Sequence, residues 1–216
     1  MVQKEAKRPR GRPRAYDPEQ ALEQALQAFW RAGFSATSLD QISAATGMNR
    51  PSLYAAFGDK HALYLALLQR YTALSDASIA AGLARQEPLA AALARFYRHA
   101  LASYLPAEGA ARGCFLIGTA TSEAMADAAI REQLGRALQG FTAALERRLR
   151  RARAEGELAA DADTAGLADV AAAVLHSLAV RARAGDTRAA LNATAQAAVK
   201  LICGTPPPAR RPRRRP

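Results

Sequence analysis

Residues 33–60 read GFSATSLDQISAATGMNRPSLYAAFGDK, and the punctuation of this stretch decides the fold. Gly33 closes a preceding helix, and Ser38 with Gln41 three residues on forms a capping box that starts the next one. Leu39, Ile42 and Ala45 share one face of that helix, and Gly47 stops it. Asn49-Arg50-Pro51-Ser52 opens a short helix carrying Leu53, Tyr54 and Phe57, Gly58 ends it, and Asp59 caps a long helix that the pattern carries to Ala81. Leu39, Ile42, Ala45, Met48, Leu53 and Phe57 are spaced to bury the inside of a helix-turn-helix. In such a motif the second helix enters the major groove and turns its N-terminal residues toward base edges.

Outward from this stretch the chain is helical on both sides. Asp17-Pro18 is a helix start, Asp as N-cap and Pro at the first helical position, with Ala21, Leu22, Ala25, Leu26, Ala28 and Phe29 following at helical spacing. Beyond Gly82 the spacing predicts helices from Pro88 to Tyr104, a short one near Arg112-Gly113-Cys114, a long one from Met125 to Ala154, one capped by Asp163 and running to Ala184, and a last one ending at Cys203. That makes about nine helices in an all-α chain. Four parts are expected: a basic arm at 1–15, a helix-turn-helix domain at 16–62, a larger helical domain at 63–203, and a basic tail at 204–216.

Composition agrees. Among 216 residues 55 are alanine, the best helix former, whereas valine and isoleucine together number 10, too few for a sheet-based fold. No apolar run reaches the ~18 residues of a spanning helix, since Val170 to Val180 is broken by His176 and Ser177. The basic N-terminus lacks the apolar region of a secretory signal. Two cysteines make no disulfide framework, and His61, His99 and His176 are too dispersed for a zinc site. Nucleophile-elbow, P-loop, dinucleotide-fingerprint, HExxH and CxxC motifs are missing, so an enzyme is not expected, and neither a metal nor a cofactor. The expectation is a soluble, cytoplasmic protein without a membrane partner.

The net charge of +11 is concentrated at the ends. Residues 1–15 hold six basic residues against one acid, and residues 204–216 hold five arginines and no acid. Residues 16–62 carry only Arg31, Arg50 and Lys60 against Asp17, Glu19, Glu23, Asp40 and Asp59. A mildly acidic helix-turn-helix needs positive charge to meet DNA, and the arm with Arg10, Arg12 and Arg14 supplies it, in an Arg-Gly-Arg-Pro-Arg pattern suited to a narrow minor groove. Asn49, Arg50 and Ser52 open the recognition helix, where arginine pairs with guanine and asparagine with adenine. Thr37 and Ser38, at a helix N-terminus, and Lys60, at the start of the next helix, suit phosphate.

The runs Gly33–Ser43 and Gly47–Lys60 resemble the signature of the tetracycline-repressor (TetR) family over about 45 residues. The resemblance implies a homodimeric, ligand-responsive DNA-binding regulator, usually a repressor. Three N-terminal helices would serve DNA, and a C-terminal helical domain would serve effector and dimer. It implies phosphate contacts at Thr37, Ser38 and Lys60, and base or backbone contacts from Asn49, Arg50, Ser52 and Tyr54. Arg50-Pro51 departs from the small or Ser/Lys pairs commoner there, so the operator sequence does not transfer.

In the larger domain, Leu167, Ala171, Val174 and Leu178, and again Leu191, Ala195, Ala198 and Ile202, form apolar seams expected at a four-helix dimer interface on a two-fold operator. Tyr71, Phe96, Tyr97, His99, Tyr104, Cys114, Phe115, Thr119, Glu123 and Met125 are candidates for lining an effector pocket. Cys114, beside Arg112 at a helix N-terminus, would be expected to hold its thiol toward thiolate and so sense electrophiles or oxidants, against the plainer reading of an inert buried thiol. The chain therefore reads as a sequence-specific regulator released by a ligand or a redox change. The competing reading is an architectural, nonspecific nucleic-acid binder working through its basic tails.

Overall fold

The computed structural model describes residues 16–107 and 110–204. Arg10, Arg12, Arg14 and the C-terminal arginines lie outside them. Among the described residues there are nine α-helices and no strand: α1 (Pro18–Ala32), α2 (Leu39–Thr46), α3 (Arg50–Phe57), α4 (Lys60–Ala84), α5 (Leu89–Tyr104), α6 (Phe115–Glu123), α7 (Ala128–Ala154), α8 (Thr164–Arg183) and α9 (Arg188–Cys203).

The caps read from sequence set the first four helices. Asp17 accepts from Glu19 N with Pro18 at the first helical position, the Ser38/Gln41 box is closed in both directions, Asn49 accepts from Ser52 N, and Asp59 accepts from Ala62 N. Gly47 turns the chain between α2 and α3 at φ 66°, ψ 7°, a left-handed conformation that side-chain-bearing residues rarely adopt. Two boundaries differ from the sequence reading. α4 continues through Gly82 to Ala84, because the Arg95 guanidinium packs against Gly82 and donates to its carbonyl. α7 starts after Asp127 rather than at Met125, because the Asp127 carboxylate takes the amides of Ala129 and Ile130.

α1, α2 and α3 fold over Phe29, Ile42, Met48 and Leu53, all buried. α4 then runs unbroken out of this unit, so the expected domain boundary at residue 62 falls inside a helix. α7 packs on α4 and α8, α5 on α9, and α6 lies between α1, α7 and α8. α8 is long and apolar enough by composition to cross a membrane, a length the unbroken-run criterion had not credited to it. Here it packs against α7 and α9, with Ala168, Ala171, Ala172, Ala179 and Ala182 buried.

An aromatic ladder ties the two parts together. Phe29 and Phe34 meet Tyr64 of α4 at 5.1 and 4.9 Å between ring centroids, Tyr64 meets Phe115 of α6 at 5.9 Å, and Phe115 meets Trp30 at 5.6 Å and Tyr71 at 5.5 Å. Such pairs contribute about 0.5–1.5 kcal/mol each beyond the area they bury. The Tyr64 hydroxyl is bonded to Thr119 at 2.7 Å, so the ladder leaves no polar end stranded there.

Candidate nucleic-acid interface and ligand cavity

The short helix α3 presents its N-terminus and one flank to solvent. Asn49 and Arg50 are exposed, Ser52 is half-buried, and Tyr54 is exposed while its neighbour Leu53 faces the core. Pro51 costs the helix no hydrogen bond, because the first amides of a helix have no internal acceptor. The Asn49 side-chain oxygen is committed to the Ser52 amide at 2.9 Å, which leaves its NH2 to face outward. Arg50 is held from α2: its Nε and Nη2 donate to the two oxygens of Asp40 at 2.7 and 2.5 Å. The guanidinium bond keeps the Asp40 carboxyl below the usual carboxylate range, and Asp40 in turn raises Arg50. The composition of residues 16–62 had flagged Asp40 only as one acid among five, not as the partner that aims Arg50.

Two expected phosphate contacts are placed differently. Thr37 is 1 % exposed and its hydroxyl donates to the Gly33 carbonyl at 2.6 Å, so its side chain closes the α1–α2 turn. Lys60 turns back over the same turn. Its Nζ donates to the carbonyls of Phe34 and Thr37 at 3.0 Å each, and the ammonium sits 4.3 Å from the Phe34 ring centroid. The reason is common to both: Gly33 to Ala36 is a bend whose carbonyls need donors. Ser38 stays exposed as the α2 cap.

Behind this surface lies a cavity of about 700 Å³ between α1, α4 and α5, reached also by the segment preceding α6. Of the candidate lining residues, Tyr71, Phe96, His99, Tyr104 and Cys114 face it. The others do not. Tyr97 is buried with its hydroxyl on the Ala171 carbonyl at 3.0 Å, and Phe115 and Thr119 belong to the aromatic ladder. Glu123 takes the Ser35 hydroxyl at 2.8 Å, and Met125 is 88 % exposed on a turn. Aromatic and polar residues of one helix divide between core and cavity according to neighbours that spacing does not specify.

The sequence reading missed the α1 wall. Glu23, Leu26, Gln27 and Trp30 all line the cavity, and so does Arg112. Trp30 Nε1 donates to the Arg112 carbonyl at 3.2 Å, and the Arg112 guanidinium lies 4.1 Å over the Trp30 ring. The Trp30 carbonyl accepts from Arg183 of α8 at 3.4 Å. Gly113, at φ 65°, lets this segment touch α8: a Cβ there would stand 2.5 Å from the Ala179 carbonyl oxygen. A lone Trp among apolar residues at helical spacing carried no signal beyond core.

The expected thiolate is a correction. Cys114 is 5 % exposed, and burial pushes its thiol up. Its Sγ lies 3.7 Å from the Tyr71 hydroxyl. Although Cys114 is the α6 N-cap, its side chain makes no cap bond, and desolvation outweighs the favourable amides. Arg112 points its guanidinium at Trp30 and Gln27 instead.

The apolar seams expected at a dimer interface are largely taken up inside the chain. Leu178, Leu191 and Ile202 are buried within the chain, with Ala171, Ala195 and Ala198, and Leu167 and Val174 are half-buried. The outward stripe of α8 is Val170, Ala173, Ser177 and Val180, and that of α9 includes Ala193, Ala197 and Leu201, the last 80 % exposed. An alanine-rich helix is apolar on two sides, and periodicity alone does not tell which side its own chain takes.

Comparison with known proteins matches residues 21–67 to the model "Bacterial regulatory proteins, tetR family" and residues 89–198 to "Tetracyclin repressor-like, C-terminal domain". The chain is 33% identical over 181 residues to the HTH-type transcriptional repressor ComR of Escherichia coli (strain K12), covering 83% of this chain and 85% of the relative. It is 36% identical over 117 residues to the HTH-type transcriptional repressor BdcR of the same organism, covering 54% and 59%. Among solved structures, a cysteine mutant of the regulator CifR complexed with 26-base-pair operator DNA superposes with a TM-score of 0.79 at 32% identity, covering 88% of this chain and 98% of that one. Reduced NemR of E. coli, at 20% identity and a TM-score of 0.75, shares the fold.

Proposed function

The chain belongs to the tetR family of bacterial regulatory proteins, and from that premise we propose that it is a transcriptional repressor that binds a two-fold operator as a homodimer and leaves it when a small molecule fills the α1–α4–α5 cavity. The observation that carries this reading is the shared wall: Leu26, Gln27 and Trp30 belong both to the cavity and to the first helix of the DNA-binding unit. A guest that shifts this wall shifts the helix-turn-helix. To act as a switch, it must bind more tightly to a conformer whose recognition helices no longer match the half-site spacing. ComR and BdcR are named repressors, and the CifR structure holds operator DNA, which supports the same role here.

In this reading Asn49, Arg50 and Ser52 face bases, Tyr54 and Ser38 meet the sugar-phosphate backbone, and the arm with Arg10, Arg12 and Arg14 supplies the electrostatic attraction that an acidic helix-turn-helix lacks. Lys60 spends two of its three N–H donors on carbonyls of the α1–α2 turn, which leaves one to meet phosphate while it shapes that turn. The dimer forms through the outward stripes of α8 and α9. A buried, protonated Cys114 favours a non-covalent guest over a redox trigger.

The test is selection of bound duplexes from a random pool, followed by footprinting with and without candidate ligands. A short palindromic footprint that a ligand abolishes is the expected result. Uniform coating of any duplex would replace this reading with an architectural one. Deleting residues 1–13 should weaken binding and flatten its salt dependence while leaving the dimer intact.

A further inference from the structure

The cavity's charge is distributed in a way that selects its guest. Its walls are largely apolar, with Leu26, Ile79, Phe96, Phe141 and Leu175 among them, and about 700 Å³ suits a small molecule. Four cationic or acidic side chains line it, and three are already answered or solvated. Arg95 is bonded to Glu87 and to the Gly82 carbonyl. Arg85 is exposed at the rim. Glu23 is exposed and accepts from Gln27 Nε2 at 2.7 Å. His99 is also on the wall, bonded to the Ser78 hydroxyl at 3.1 Å.

Arg112 is the exception. It is half-buried, its Nε donates to the Ser103 carbonyl at 3.2 Å, and its Nη1 donates to the Gln27 side-chain oxygen at 3.0 Å. Its remaining contact is the face of Trp30. Among the described residues no carboxylate lies within 4.0 Å of it, so a permanent cation on an apolar wall is met only by neutral oxygens and a π face. Only two of the five N–H groups that a guanidinium carries are used in these bonds. A planar fork in a low-dielectric site is the setting in which a carboxylate binds most strongly.

We infer that the cavity takes a small apolar monocarboxylate, its carboxylate forked on Arg112 and its hydrocarbon part lying against Phe96, Phe141 and Leu175. The inference rests on the cavity being the effector site and adds the ligand's chemical class. It also supplies a route to the DNA-binding unit. A carboxylate forked on the free Nη1 and Nη2 hydrogens draws the guanidinium inward, away from Gln27 and off Trp30, so two of the ties on α1 slacken together.

Trp30 is the chain's one tryptophan, which makes the wall its own reporter. The full-length protein is titrated with octanoate, octanamide and 1-octanol, following Trp30 emission and binding heat, and then operator DNA. Octanoate should bind at least tenfold more tightly than octanamide or 1-octanol and change Trp30 emission. Arg112→Gln should abolish the preference, and Arg112→Lys, which keeps the charge and loses the fork, should retain part of it. The wild-type comparison decides by itself if Arg112→Gln does not fold. Equal affinity for octanoate and octanamide, or no binding of octanoate, overturns the carboxylate site. A clear octanoate preference without loss of operator binding upholds the site and counts against ligand release. Release by 1-octanol with no octanoate preference does the reverse.

Discussion

Trp30 and Arg112 hold each other twice: the indole Nε1 donates to the Arg112 carbonyl at 3.2 Å, and the Arg112 guanidinium returns over the same ring at 4.1 Å. One residue lies in the last turn of the first helix of the DNA-binding unit and the other just before α6, 82 positions later. With the Arg183 bond to the Trp30 carbonyl, the end of α1 is fastened to both cavity wall and α8.

Trp30→Phe removes the indole N–H and leaves the Arg112 carbonyl without its donor. The expected loss is about 1 kcal/mol, read as a fall of ~2–4 °C in Tm for a chain of this length. Operator affinity in the absence of ligand should change as well, because the tie spans the two parts. A variant with reduced Tm but unaltered DNA binding at all ligand concentrations would mean that this tie only stabilises the fold.

Both oxygens of Asp40 hold Arg50 at the start of α3, at the position proposed to face a base. Asp40→Asn removes a negative charge from the surface proposed to face DNA and frees the guanidinium, so binding to random duplexes should strengthen while the margin between operator and random DNA narrows. Arg50→Ala should cost ~10- to 100-fold on the operator and relax preference at one base pair. Both are read by competition gel shift at two salt concentrations. Equal losses on operator and random DNA for Arg50→Ala would remove it from base reading.

The caps explain why the N-terminal third was legible. Asp17-Pro18, Ser38 with Gln41, Gly47, Asn49-Arg50-Pro51 and Asp59 are local signals, each satisfied within a few residues. The cavity was half legible because its walls are set by neighbours far apart in the chain. Tyr97 and Phe96 are adjacent, yet one is pinned to Ala171 and the other faces the cavity. Trp30 is buried in the core and also forms cavity wall. The seams read on α8 and α9 fall largely on faces their own chain buries, because alanine on both sides of a helix erases the contrast on which periodicity depends.

Cys114 gives a direct chemical test of its environment. Burial raises its thiol, and burial also raises that of Cys203, which is half-buried. At neutral pH both should react with a disulfide reagent more slowly than glutathione, and unfolding in urea should bring them to the free-thiol rate. A fast-reacting fraction in the folded protein, lost in Cys114→Ser, would restore a sensing thiolate.

His176 sets an acid limit. It is half-buried on α8, burial holds its pKa below 6.5, and its Nε2 has no hydrogen-bond partner among the described residues. A folded histidine that resists protonation leaves the unfolded chain binding more protons below pH 6.5, so stability falls as pH drops from 6.5 toward the folded value and is constant below it. Denaturant midpoints at pH 7.5 and 5.5 should therefore differ more for the wild type than for His176→Gln. His61 and His99 are common to both proteins and cancel in the comparison. Identical pH dependence would show that His176 takes its proton as readily folded as unfolded.

The outward stripes of α8 and α9 set the last expectation, that two copies meet there. Val170 and Val180 are half exposed and Leu201 more so, with alanines between them, and small residues let facing helices approach closely. The stripe is distinct from the buried face of Leu178, Leu191 and Ile202, so the two faces can be tested separately. Val170→Glu with Leu201→Glu puts charge on the outward face, where the chain itself loses little packing. That protein should keep its helical circular dichroism, sediment as a monomer, and lose operator binding, because a single helix-turn-helix reaches only one half-site. Leu178→Glu instead buries an unpaired carboxylate between α8 and its own neighbours and should lose helicity outright. If the double variant sediments with the wild type as a dimer, the contact lies on another face. If the wild type is itself a monomer at micromolar concentration yet binds the operator tightly, dimerisation is brought about by DNA rather than by α8 and α9.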